Sequence, residues 1–118
     1  MSHDAAPDTI SYTDFLKVDV RVVRVLKAEP FPKARRPAYK LWVDFGPQIG
    51  TRKTSAQITK HYTPEELPGR LVLGVVNFPP KQVADFMSEV LLLGAMPDED
   101  SVVLIHPERE VPPGTRML

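Results

Sequence analysis

The chain has 118 residues, of which 42% are hydrophobic and 25% charged, which suits one soluble domain with one core. It has no cysteine, so a disulfide framework, a thiolate metal site and a cysteine nucleophile are all excluded. Net charge is zero, yet residues 1–60 hold 11 Lys/Arg against 6 Asp/Glu while residues 61–118 hold 4 against 9, so a basic face can exist on a neutral protein.

The first eight residues, Met1 to Asp8, carry no basic stretch followed by an apolar one, so no signal peptide is expected. The longest apolar runs, Leu71–Val76 and Val90–Met96, are far shorter than a membrane span. A cytoplasmic protein is the expectation. Residues 1–10 predict a flexible polar tail, leaving 11–118 as the domain. Thr13–Leu16 predicts a short helical turn with Ser11 or Thr13 as N-cap.

Val18, Val20 and Val22 alternate with Asp19 and Arg21, the period of a half-buried strand. The phase slips at Val22-Val23, where a bulge is expected to bend the strand. Phe31–Pro37 is a proline-punctuated basic loop. Leu41, Val43 and Phe45 mark a second strand, Gly46–Gly50 a hairpin turn and Arg52–Ile58 a third strand. Thr63-Pro64-Glu65-Glu66-Leu67 opens a short helix, with Thr as cap, Pro at the first position and acids in the first turn. Leu71–Phe78 reads as a buried fourth strand stopped by Pro79-Pro80; Ser88–Leu93 and Val102–Ile105 read as further strands. Five or six short strands with one small helix between the third and fourth fit a small all-β barrel, of which the OB-fold is the best-known example. The pattern alone leaves a sandwich open.

Little in the chain supports catalysis. Gly46–Thr54 lacks the glycine spacing, the lysine position and the following helix of a phosphate loop. His3, His61 and His106 stand apart, without carboxylates at metal-ligand spacing, so no metal site and no cofactor are expected. Ser55 and Ser88 lack nucleophile-elbow glycines.

Two segments are distinctive: Lys53-Thr54-Ser55-Ala56-Gln57-Ile58-Thr59, and Val76-Asn77-Phe78-Pro79-Pro80-Lys81 running on through Phe86–Leu91. With Lys33-Ala34-Arg35 and Tyr39-Lys40-Leu41 before them, they resemble the tRNA-binding domain family from about Phe15 onward, and within it the CsaA type. The resemblance implies an OB-fold, a five-stranded Greek-key barrel whose terminal extensions pair two subunits into a homodimer, the turn at Phe15-Leu16 and the C-terminal segment forming the interface. It implies non-enzymatic binding of tRNA or similar structured RNA; the alternative is an export-related chaperone that binds unfolded preproteins through the same dimer. Carried over residue by residue, the RNA-binding set is Lys53, Ser55, Gln57, Asn77, Lys81, Ser88 and Glu89. The loop and strand cations Lys33, Arg35, Arg36, Lys40 and Arg52 extend the footprint.

The chemistry of these residue types fits. Lys and Arg neutralise phosphates, and small hydroxyl or amide side chains hydrogen-bond phosphate, sugar and base edges. Each also has a structural role open to it. Asn77 can bond its own turn, Ser88 can be a strand-edge hydroxyl satisfied by backbone, and Phe78 and Phe86 can pack in the core rather than stack a base. The family commonly has glycine where this chain has Asp85. If that glycine serves a positive φ, Asp tolerates it; if it serves close approach of RNA, a carboxylate there repels phosphate.

Overall fold

The computed structural model describes residues 8–118. The tail predicted for 1–10 lies mostly outside the described residues. Tyr12–Leu16 forms α1, capped by the Ser11 hydroxyl, which accepts from the Asp14 N–H at 3.0 Å. Strand β1 (Val20–Pro30) pairs with β2 (Tyr39–Asp44), which pairs with β3 (Thr51–Ala56); β4 (Leu71–Val75) returns to lie on the other side of β1. That order, β3-β2-β1-β4-β7 with all pairs antiparallel, is a Greek key, and β7 (Leu91–Leu92) continues it around. Between β3 and β4 sits a one-turn 3₁₀ helix, Pro64–Glu66, whose start is fixed by the Thr63 N–H donating to the Glu66 carboxylate at 2.8 Å. A hairpin of β5 (Lys81–Val83) and β6 (Phe86–Ser88) and a small pair of β8 (Gly94–Ala95) and β9 (Val103–Leu104) complete the chain. The result is the nearly closed five-stranded OB-like barrel the strand pattern points to.

β1 is long enough to serve two cores. Val23 and Val25 face the barrel interior with Leu41, Val43, Phe45, Leu67 and Val72. Val20 and Val22 face outward, against Leu73 and Val75 of β4, and are covered by Val111 and Met117. The expected bulge at Val22-Val23 is therefore not there: the β1–β4 ladder runs unbroken from Val20 to Arg24, and the phase slip records burial of both faces. The irregularity lies between Val25 and Lys27 against β2, where Leu26 drops out of register and is exposed.

The cover over the outer cluster is the C-terminal segment. It lies along the β1 edge that β2 leaves free: the Val22 N–H donates to the Thr115 carbonyl (2.8 Å), Gly114 N–H to Val22 (2.7 Å) and Met117 N–H to Val20 (2.8 Å). A polar clasp ties both terminal segments down. Asp19 accepts two hydrogen bonds from the Arg21 guanidinium, at 2.6 and 3.2 Å, and has Arg116 Nε at 3.6 Å. Chiefly the Arg21 hydrogen bonds, and the two positive charges, hold the Asp19 carboxyl below its ordinary range. Arg116 in turn donates to the Leu16 carbonyl at 2.6 Å.

The segment crosses the β2–β3 turn with no space to spare. Gly114 has φ +93°, and a Cβ there would lie 2.5 Å from the Phe45 carbonyl oxygen. A Gly114→Ala variant combines left-handed strain with that clash, so it loses about 2–3 kcal/mol in chemical denaturation. Ala at a neutral exposed position such as Glu108 leaves stability unchanged.

Candidate nucleic-acid interface

The barrel closes between β3 and the segment that joins β6 to β7, and side chains do most of the closing. One backbone bond joins them, Glu89 N–H to the Lys53 carbonyl at 2.8 Å. The Lys53 N–H donates to Glu89 Oε1 (3.0 Å), and the Ser55 N–H donates to Ser88 Oγ (3.0 Å). The buried Thr54 hydroxyl donates to the Val90 carbonyl at 2.7 Å and lies 3.1 Å from Ser88 Oγ. Ser88 and Glu89 thus take the place of ladder partners, the strand-edge role left open for Ser88.

Beside this seam lies an open cleft of 1190 Å³. The basic loop supplies one wall with Arg35 and Arg36, the end of β3 supplies Ser55 and the exposed Gln57, and β5 supplies Lys81. Seven of the twelve candidate residues line it: Arg35, Arg36, Ser55, Gln57, Lys81, Ser88 and Glu89. Among the described residues, the ion pairs leave Arg35, Arg36 and Lys81 without a carboxylate partner.

The other five are placed elsewhere. Asn77, beyond the end of β4, accepts from the Asp19 N–H (2.9 Å) and donates to the Lys17 carbonyl (2.7 Å), so it holds the segment after α1 rather than its own turn. Lys40 and Lys53 lie over the ring of Phe86, at 5.2 and 5.1 Å from its centroid, and Lys40 also lies 4.8 Å from that of Phe31. Lys33 is paired with Asp85 at 2.9 Å. That hydrogen bond is the main reason the Asp85 carboxyl is held down and the Lys33 ammonium held up from their ordinary values. Arg52 shares the strand phase of the buried Thr54, opposite to Lys53 and Ser55.

Phe86 is buried and packs edge-on against Phe31 (5.5 Å) and Trp42 (6.0 Å), a core role as residue type favours. Phe78 is not in the core. It is 47% exposed and lines the cleft, where Leu91 and Met96 join it as an apolar wall; Phe78 and Leu91 fall within the second distinctive segment, Met96 outside both. The fourth strand expected over Leu71–Phe78 ends at Val75, well before Pro79-Pro80, and Phe78 lies in the bend beyond it, outside the sheet.

A barrel of this topology, with small polar and basic side chains beside its third strand, defines the class of OB-like nucleic-acid-binding modules. The family model described as "Putative tRNA binding domain" matches residues 20–116, and the chain belongs to that family. It is similar to the structure of chaperone CsaA from Bacillus anthracis, 49% identical with a TM-score of 0.90 over 94% of this chain and 100% of that one. The CsaA chaperone protein from Picrophilus torridus is 45% identical, with a TM-score of 0.87 over 93% of this chain and 100% of that one. A methionine–tRNA ligase from Porphyromonas gingivalis is 39% identical over 98% of this chain, but the chain spans only 17% of that enzyme.

The seam itself makes a sharp test. Thr54→Val keeps shape but strands the buried Val90 carbonyl, so it costs about 1–3 kcal/mol, measured by thermal unfolding. Equal stability of the variant would show the seam to be incidental.

Proposed function

We propose that the cleft binds the backbone of tRNA or a similarly folded RNA by shape and charge, without catalysis, in the cytoplasm. The observation that carries this is convergence: Arg35, Arg36 and Lys81, free of carboxylate partners among the described residues, meet Ser55 and Gln57 at one open concave surface. Cations on a fixed frame release counterions from phosphates, and the adjacent hydroxyl and amide offer hydrogen bonds to sugar and phosphate. Family membership supports the same reading.

The apolar wall supports a second ligand class. Phe78, Leu91 and Met96 are exposed side by side with the cations, and the CsaA structures it resembles are described as chaperones. Unfolded polypeptide is the ligand such a wall would take. One assay treats both. Labelled tRNA binds with an affinity that falls with salt at a slope of about −2 to −3, as three phosphate contacts require, and Arg35→Ala/Arg36→Ala/Lys81→Ala weakens it by roughly tenfold or more. Salt-independent binding, or an unaltered triple variant, rejects the RNA reading. Displacement of the tRNA by an unfolded peptide supports a shared cleft, and independent binding rejects it.

The two terminal segments support a homodimer. Tyr12 and Phe15 of α1 and Leu118 are exposed apolar side chains, and the Arg116–Leu16 hydrogen bond ties the C-terminal segment to the end of α1. A second copy of this chain is the proposed cover. Light scattering then gives twice 13.2 kDa at micromolar concentration, and Tyr12→Glu/Phe15→Glu returns it to the monomer value.

A further inference from the structure

The tip of the β5–β6 hairpin carries a charge that the cleft does not use. Val83 pairs with Phe86, so Ala84 and Asp85 are the turn, and the positive φ of that turn, 54°, belongs to Ala84. Asp85 is therefore not at this position to meet a backbone requirement. Its side chain reaches across to the basic loop instead, 2.9 Å from Lys33 Nζ, and Lys40 is the further cation acting on it. The pair is open to solvent, with the Lys33 and Asp85 side chains 72% and 53% exposed. Exposed pairs of this kind add little to stability, and the hairpin is already anchored by buried Phe86 between Phe31 and Trp42. What the carboxylate does change is the local field: an anion is paired with Lys33, the position a phosphate oxygen would compete for, next to the cleft-lining Ala34 and Ala84.

We propose that Asp85 is a built-in competitor for phosphate, which withholds Lys33 from a bound polyanion and confines strong contacts to Arg35, Arg36 and Lys81. The proposal rests on the cleft's being a phosphate-binding surface. Being exposed and weakly held, the carboxylate is displaceable, so it discounts affinity rather than abolishing it. An RNA whose backbone crosses the cleft loses little. One whose backbone follows the loop toward the hairpin tip meets like charge and has to break the pair. Asp85 thereby selects for the path of the strand, a property that bare basic loops do not have.

The test compares the full chain with Asp85→Asn, using tRNA and short inorganic polyphosphate as separate probes across about 50–200 mM salt. Loss of the negative charge paired with Lys33 tightens binding of both probes by about three- to tenfold at the low-salt end. The slope against salt steepens by about 0.7–0.9, one added phosphate contact. In a Lys33→Ala background the gain from Asp85→Asn falls to less than half. Identical affinity and slope in the wild type and Asp85→Asn overturn the proposal, as does a gain undiminished by Lys33→Ala, and as does failure of every variant to bind either probe. A gain on polyphosphate without any tRNA binding leaves the competitor in place and rejects the RNA reading alone.

Discussion

Everything at the candidate surface depends on how the free edge of β3 is satisfied. Among the described residues one backbone hydrogen bond joins it to the returning chain, and Ser88, Glu89 and Thr54 supply side-chain bonds along the rest of the seam. A ladder would have drawn the returning strand flush against β3. Side-chain bonds instead let the chain diverge after Ser55, and the gap between the basic loop, the end of β3 and the hairpin is the cleft. Closure and opening are two aspects of one seam, so residues that look like ligands in sequence can belong to the frame.

Much of the barrel was legible because alternation is a local property. Leu41, Val43 and Phe45 face the interior as their alternation says, and the unbroken apolar run from Leu71 to Val75 is the buried strand that such a run predicts. The β5–β6 hairpin was not legible: its strands are three residues each, and its turn places Ala, rather than Gly or Asn, at positive φ. Nor was the C-terminal cover, since a segment with prolines at 112 and 113 shows no period and gains its pairing only from β1. The two buried faces of β1 look in sequence like a bulge, because alternation cannot distinguish a slipped phase from a second core.

The candidate site was legible by residue type but not by engagement. Lys33, Arg35, Lys40 and Lys81 are alike in a string of letters. Only the fold shows that Lys33 meets Asp85 and that Lys40 meets two aromatic rings, while Arg35 and Lys81 face the cleft. The motif groups Asn77 with the binding set, yet both of its amide atoms are committed to Lys17 and Asp19, partners some sixty positions away. Phe78 erred the other way, since an aromatic at the end of a valine-rich run reads as core. Distance along the chain, rather than residue chemistry, is what hides these assignments.

The strap formed by residues 111–117 sets an order on the life of the chain. Val20 and Val22 emerge early in synthesis, but the Val111 and Met117 side chains that cover them are made nearly a hundred residues later. Through that interval the outer apolar cluster and the hydrogen-bonding edge at Val20–Val22 stand open, a template onto which another nascent chain could add a strand. Arg21, between those two valines, places a charge on that edge during the vulnerable period, before Asp19 and the Gly114 carbonyl take it up in the finished fold.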